Sequence, residues 1–178
     1  MGVISPLHYI ISMKRDVIIY VDMDGVLAAF DQAVRKKLGA ETVDLSSDKR
    51  WNIIIKYNNE EEPWFYSLPL LPDARTLWKF LTKNFRNVEI LSATGGNAIP
   101  DAGRQKRQWI ADNFGPKVKV HTVKDGKDKA AYADYNTVLI DDRSRAIDPF
   151  IAAGGIGIKH TSAANTIATL RVMMSDWV

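Results

Sequence analysis

The sequence predicts a doubly wound, Rossmann-like α/β fold: a parallel sheet with helices on both faces and one small helical cap insert. Three observations predict it. Short, unbroken apolar runs rich in β-branched residues recur along the chain, as strands buried on both faces of a parallel sheet do. Helix-length stretches separate them, the spacing of βαβ units. A chain of 178 residues, 46% of them apolar, can bury one substantial core but not two large domains.

Residues 1–12, MGVISPLHYIIS, are apolar but lack a basic leader region, contain Pro6 and are too short to span a bilayer. Pro6 also stands where a myristoylation pattern requires Ser or Thr. Met13, followed by Lys14, Arg15 and a strand, reads as a natural start, so residues 1–12 read as an N-terminal extension or a start-site artefact. The first strand is VIIYVD at 17–22, ending abruptly in acid and glycine. VEILS at 88–92, VKVHT at 118–122 and TVLID at 137–141 follow, with a weaker run, GIGI, at 155–158. Helices are expected over 73–85, 101–114 and 144–153. Ligands of such sheets sit at the carboxyl ends of the strands, which places Asp22, Ser92 and Asp141 on one rim.

Residues 30–68 break the alternation and are too many for an ordinary loop. A helix at 30–38 leads through Gly39 and a polar loop to Trp51 and Ile53–Ile55, then to the acidic turn Glu60–Glu62 and to Pro63-Trp64-Phe65-Tyr66. This interval reads as a small helical insert covering the rim, with 13–29 and 69–178 forming the core.

Composition narrows the chemistry. Five Trp, six Phe and six Tyr exclude a disordered chain. With no cysteine there is no disulfide and no thiolate zinc site, and three scattered histidines make no metal cluster. A metal here is expected to be a hard cation held by carboxylates. The net charge of +3 suits a phosphorylated substrate but falls short of a nucleic-acid-binding footprint. A cytoplasmic protein without membrane or stable nucleic-acid partners is expected, and a homodimer stays open.

Asp22-Met23-Asp24-Gly25-Val26-Leu27 is the sharpest segment. Carboxylates two residues apart past a strand can both turn to one site, one as nucleophile or metal ligand and one toward a leaving group; Gly25 lets the backbone turn and approach a substrate closely. A strand end with one Asp capping the next helix would read the same way. Leu139-Ile140-Asp141-Asp142-Arg143 ends another strand with adjacent acids, which repel unless a cation or hydrogen bonds offset them; Asp142 could equally cap the next helix. Ser92-Ala93-Thr94-Gly95-Gly96 offers hydroxyls and amides to phosphate oxygens, or is an ordinary turn. Among Lys124, Lys127 and Lys129, one is expected to point inward and neutralise phosphoryl charge, while most are solvated.

The order strand–DxDGV, strand–Ser, Lys, strand–DD, from residue 17 to about 145, resembles the four motifs of haloacid dehalogenase (HAD) phosphatases. DMDGVLAAF, EPWFYSLPLLPDA and LIDDR are similar to the 5'(3')-deoxyribonucleotidase branch. The resemblance implies that Asp22 attacks phosphorus and that Asp24 protonates the leaving oxygen and then activates water. Mg2+ would be held by Asp22, the Asp24 backbone carbonyl, Asp141 and Asp142, the last as ligand or outer partner. It implies phosphate binding by Ser92, Ala93 and Arg143 and by Lys129, which begins a helix-like KAAYADY segment, with Lys127 the alternative. Ala29 stands where the branch commonly has an acid, and Ser92-Ala93-Thr94 replaces a common Thr-Ser-Pro, so these departures bear on substrate identity.

The expected function is therefore Mg2+-dependent hydrolysis of a small phosphorylated substrate, a nucleoside monophosphate and in particular a deoxyribonucleotide. Phe30 is the leading candidate to stack on the base, ahead of Trp51 and Tyr66, with Trp64 and Phe65 assigned to the insert's own core. The alternatives are a phosphatase of another small ester or of a nucleic-acid terminus, and a non-catalytic phosphate-binding protein, which would have no use for the second carboxylate. Arg104, Lys106 and Arg107 would serve a terminus-directed enzyme, but read better as a solvated helix face.

Overall fold

The computed structural model describes residues 17–39 and 46–176; the extension assigned to residues 1–12 lies outside the described residues. Five strands, β1 (Ile18–Val21), β2 (Asn87–Ala93), β3 (Val120–Val123), β4 (Thr137–Asp141) and β5 (Ile156–Lys159), form one parallel sheet in the order β3-β2-β1-β4-β5. The chain steps outward from β1 to β3 and then returns to β4 on the other side of β1. That reversal makes the β1–β4 carboxyl ends the topological switch point, where open α/β sheets bind ligands.

Both faces are buried, and the strand period of two divides the side chains between them. Ile19, Val21, Ile90, Val138 and Ile140 enter the larger core, while Tyr20, Leu91 and Leu139 enter the smaller one. Helix α1 (Phe30–Ala33) runs into a π-helical turn at Val34–Leu38, and α2 spans Ser47–Glu60. Helices α3 (Ala74–Asn84), α4 (Ala102–Phe114) and α6 (Ala163–Asp176) contribute to the larger core. Helix α5 (Ser144–Ala152) covers the smaller one with Ala146, Ile147 and Phe150. Leu77 and Leu81, one turn apart on α3, are fully buried, and each such leucine contributes about 1.5–3 kcal/mol.

Two local readings shift. The third strand starts at Val120 rather than 118. Lys129 does not begin a helix; it lies inside a 3-10 helix at Gly126–Tyr132, because Asp125 and Asp128 form a capping box that starts the turn three residues earlier. Helix α6 had no strong signal of its own, since Ala and Thr dilute its apolar stripe. Two acceptors fix its start: Ala163 N–H donates to Asp73 Oδ2 (2.7 Å) and Asn165 N–H to Ser162 Oγ (3.2 Å).

Among the described residues, 30–68 holds helices and turns. Its aromatic rings pack on one another: Phe30 meets Trp64 edge-on at 5.7 Å and stacks on Phe65 at 6.3 Å. Lys37 staples the segment together, donating to Glu62 Oε1 (2.5 Å) and Ser67 Oγ (2.6 Å).

Candidate active site

β1 delivers two carboxylates to one place. Asp22 N–H still donates to Ile140 O (2.9 Å), so the sheet holds the chain until the first acid. Met23 then points into the core, fully buried, and its carbonyl accepts the N–H groups of Leu27 (2.9 Å) and Ala28 (2.8 Å), closing a tight loop. With Met23 turned inward, the residues on either side of it, Asp22 and Asp24, face the cavity that both line. Gly25 has φ +79°, and a Cβ there would overlap the Asp142 carboxyl. Only glycine gives both the left-handed turn and the room for Asp142.

Two buried lysines divide the charge. Lys129 Nζ lies 2.5 Å from Asp141 Oδ2 and 3.0 Å from Asp22 Oδ1. Lys106 Nζ donates to Asp24 Oδ2 (2.6 Å) and Ser92 Oγ (3.0 Å). Burial opposes ionisation of Asp22, but Lys129 and Lys106 outweigh it and hold its carboxyl below the ordinary value. At Asp24 burial wins, helped by the Asp22 charge against the pull of Lys106, and the pKa is raised. Neighbouring carboxyls shifted in opposite directions are the arrangement that separates a nucleophile from a proton donor.

Asp22, Asp141 and Asp142 each place a carboxylate oxygen within 4.8 Å of the others. Burial, together with the Asp22 charge, pushes the Asp142 carboxyl up to about 7. Asp142 Oδ1 is buried without a hydrogen-bond partner, and an unpaired buried acceptor is costly. A hard cation fits this group: oxygen donors, converging charge and an acceptor awaiting a partner. The Asp24 side chain is not one of these three, and its Oδ2 accepts from Lys106.

A cavity of about 60 Å3 opens above Asp22, and Phe30, Trp51, Ala93, Gly95, Lys129 and Arg143 line it. Ser92 lies beneath, fully buried, so Ala93 and Gly95 present the β2 loop to the cavity. Phe30 is only 6% exposed, held in the aromatic cluster; Trp51 is the more open ring. Trp64 and Phe65 are fully buried, whereas Tyr66 is exposed and bonded to Asp112 (3.0 Å). Lys127 is exposed and Lys129 is inside, because the 3-10 turn puts them on different sides.

The solvated-face reading of Arg104, Lys106 and Arg107 requires correction: Arg104 and Arg107 are exposed, but Lys106 is fully buried. The signal lay in the helical period. Ala102, Trp109 and Ile110 mark one face of α4, and Gln105 and Lys106 fill the positions between them at i+3 and i+4. Polar residues on a buried stripe need partners, and those partners lie in the site.

No protein-family model matches the chain, and no curated protein matches it. Solved structures do. A hydrolase from Streptococcus pneumoniae TIGR4 superposes with a TM-score of 0.56 at 15% identity, over 88% of this chain and 99% of that one. A haloacid dehalogenase-like family hydrolase from Streptococcus pneumoniae gives 0.51 at 12% identity, over 79% of this chain and 82% of that one. The chain therefore has the α/β fold of haloacid dehalogenase-like hydrolases.

Proposed function

We propose that the protein is a phosphomonoester hydrolase of the HAD type that acts on nucleoside monophosphates, deoxyribonucleotides foremost. The observation that supports the hydrolytic part of this reading is the pair Asp22 and Asp24, which line one cavity, each held by its own buried lysine and shifted in opposite directions. The nucleotide part rests on the resemblance of DMDGVLAAF, EPWFYSLPLLPDA and LIDDR to the deoxyribonucleotidase branch. The ionised Asp22 attacks phosphorus and the ester P–O bond breaks, while Asp24 gives its proton to the departing oxygen. Asp24, now a carboxylate, takes a proton from water as that water attacks the aspartyl-phosphate, releasing phosphate and restoring both residues. General acid–base help of this kind contributes about 10²–10⁴-fold.

Asp22, Asp141, Asp142 and the Asp24 carbonyl would hold a divalent cation, Mg2+ in our reading, which when bound neutralises charge on the phosphoryl oxygens. Lys129, Arg143 and the Ala93 turn would bind those oxygens, with Ser92 beneath and Lys106 as an additional cation. We assign residues 30–68 as a cap that covers this rim. The cavity takes the phosphoryl group and leaves the nucleoside at its mouth, beside Trp51 and Phe30. Arg104 and Arg107 line a separate groove, which gives no support to a polymer-terminus substrate.

Phosphate release from a panel of ribo- and deoxyribonucleoside monophosphates, with Mg2+ and then with EDTA, tests the reading beside an Asp22→Asn control. Mg2+-dependent release from deoxynucleotides, lost in the variant, is expected. Cleavage of p-nitrophenyl phosphate alone would discard the nucleotide, and full activity in Asp22→Asn would discard the mechanism.

A further inference from the structure

Lys106 needs more than Asp24 and Ser92. An ammonium carries three N–H donors, and this one is fully buried. Two oxygen acceptors take it, Asp24 Oδ2 and Ser92 Oγ, and the ammonium also lies over the ring of Phe65, whose centroid is 4.2 Å from Nζ, a distance at which an aromatic face attracts a cation.

Phe65 belongs to the 30–68 segment, and the residue before Lys106 fixes it there. Gln105, itself buried, accepts the Phe65 N–H on Oε1 (2.9 Å). Its Nε2 donates to Asn58 Oδ1 (2.9 Å) and to Asp101 Oδ1 (2.8 Å). Asn58 Oδ1 also accepts the Trp64 N–H (2.9 Å). The backbone at Trp64-Phe65 is thus clamped to α4 by Gln105, while the ring of Phe65 covers the adjacent lysine.

We propose that Phe65 is a positioning residue whose ring face fixes Lys106 on Asp24, so that docking of the 30–68 segment onto α4 completes the acid/base carboxyl. The proposal rests on Asp24 acting as proton donor, and it is independent of the nucleotide assignment. An alkoxide leaving group needs that proton and p-nitrophenolate hardly does. Misplacement of Asp24 therefore lowers kcat/KM for an alkyl ester more than for the aryl ester.

The test compares kcat/KM for an alkyl phosphomonoester, a deoxynucleotide or glycerol 2-phosphate, with that for p-nitrophenyl phosphate. Phe65→Leu, which keeps apolar bulk without the ring face, is expected to lower the alkyl-to-aryl ratio by about tenfold, part of what acid–base help supplies. Phe65→Tyr should restore the ratio. Gln105→Met, which releases the clamp and leaves the ring, should lower it in the same direction and carries the test if Phe65→Leu does not fold. A purely structural role lowers both rates together; an unmoved ratio in Phe65→Leu and Gln105→Met overturns the proposal. Asp24→Asn is the control: if it too leaves the ratio unmoved, the acid/base reading fails first, whatever Phe65 does. Wild-type turnover confined to aryl esters overturns both.

Discussion

The six-membered ring of Trp51 occupies the space in which a side chain at Gly95 would stand. Gly95 has φ +76°, so the backbone and the packing both call for glycine here. In Gly95→Ala the new methyl group displaces the indole and strains the turn, at a stability cost on the order of 1 kcal/mol or more. If Trp51 flanks the nucleoside, the Michaelis constant for nucleotides should rise severalfold while that for p-nitrophenyl phosphate changes less. Equal changes for both substrates would exclude Trp51 from the substrate wall.

Phe30 needs a gentler substitution than its exposure to the cavity suggests. Its ring is packed against Trp51, Trp64 and Phe65, and truncation of such a residue to alanine costs about 3–5 kcal/mol. Phe30→Ala would therefore report on folding, and denaturant unfolding should show the loss. Phe30→Leu keeps most of the volume and removes the flat face. It is expected to weaken nucleotide binding more than binding of p-nitrophenyl phosphate, and an equal effect rejects stacking by Phe30.

The carboxylates of Asp22, Asp141 and Asp142 should make thermal stability depend on Mg2+. At a hundredfold excess over its dissociation constant, a ligand of the folded state alone adds about 2.7 kcal/mol. Melting curves of the wild-type chain with Mg2+ and with EDTA are expected to separate, and those of Asp141→Asn to separate much less. Gly25→Ala, whose methyl group meets the Asp142 carboxyl, should also narrow the gap. A gap of full size in Asp141→Asn would place the cation elsewhere.

What the sequence disclosed and what it hid divide along local and long-range lines. The strand ending in Asp22 and the one ending in Asp141 were legible because an apolar β-branched run and its acidic terminus are adjacent in the chain. Parallel pairing then brought those ends together without further information. Lys106 is not legible as a buried residue because its partner Asp24 is 82 residues away; a lysine close to two arginines looks solvated unless the buried face of the helix is known. Gln105 was equally silent, since its role depends on where Trp64 and Phe65 settle. Lys129 sits closer to the readable limit: the charge of the site calls for an inward lysine, but the Asp125–Asp128 box decides which one.

Glu89 gives a pH dependence away from the site. Lys119 Nζ donates to its Oε1 at 2.8 Å, and His121 Nε2 lies 2.7 Å from Oε2. Burial works against the charged form, but the hydrogen bonds from Lys119 and His121 outweigh it, and the carboxyl is held below its ordinary value. With a depressed folded pKa, the unfolded chain binds the proton first as the solution is acidified. The stabilisation is therefore complete above the ordinary glutamate value of about 4.3 and is lost as pH falls from there through the folded pKa. Because Lys119 is largely exposed, solvent screens the pair and the contribution is about 1 kcal/mol. Urea unfolding at a series of pH values from neutral to about 3 should show a smaller acid-side decline in Glu89→Gln than in the wild type. Parallel declines would assign the acid sensitivity to other carboxyls.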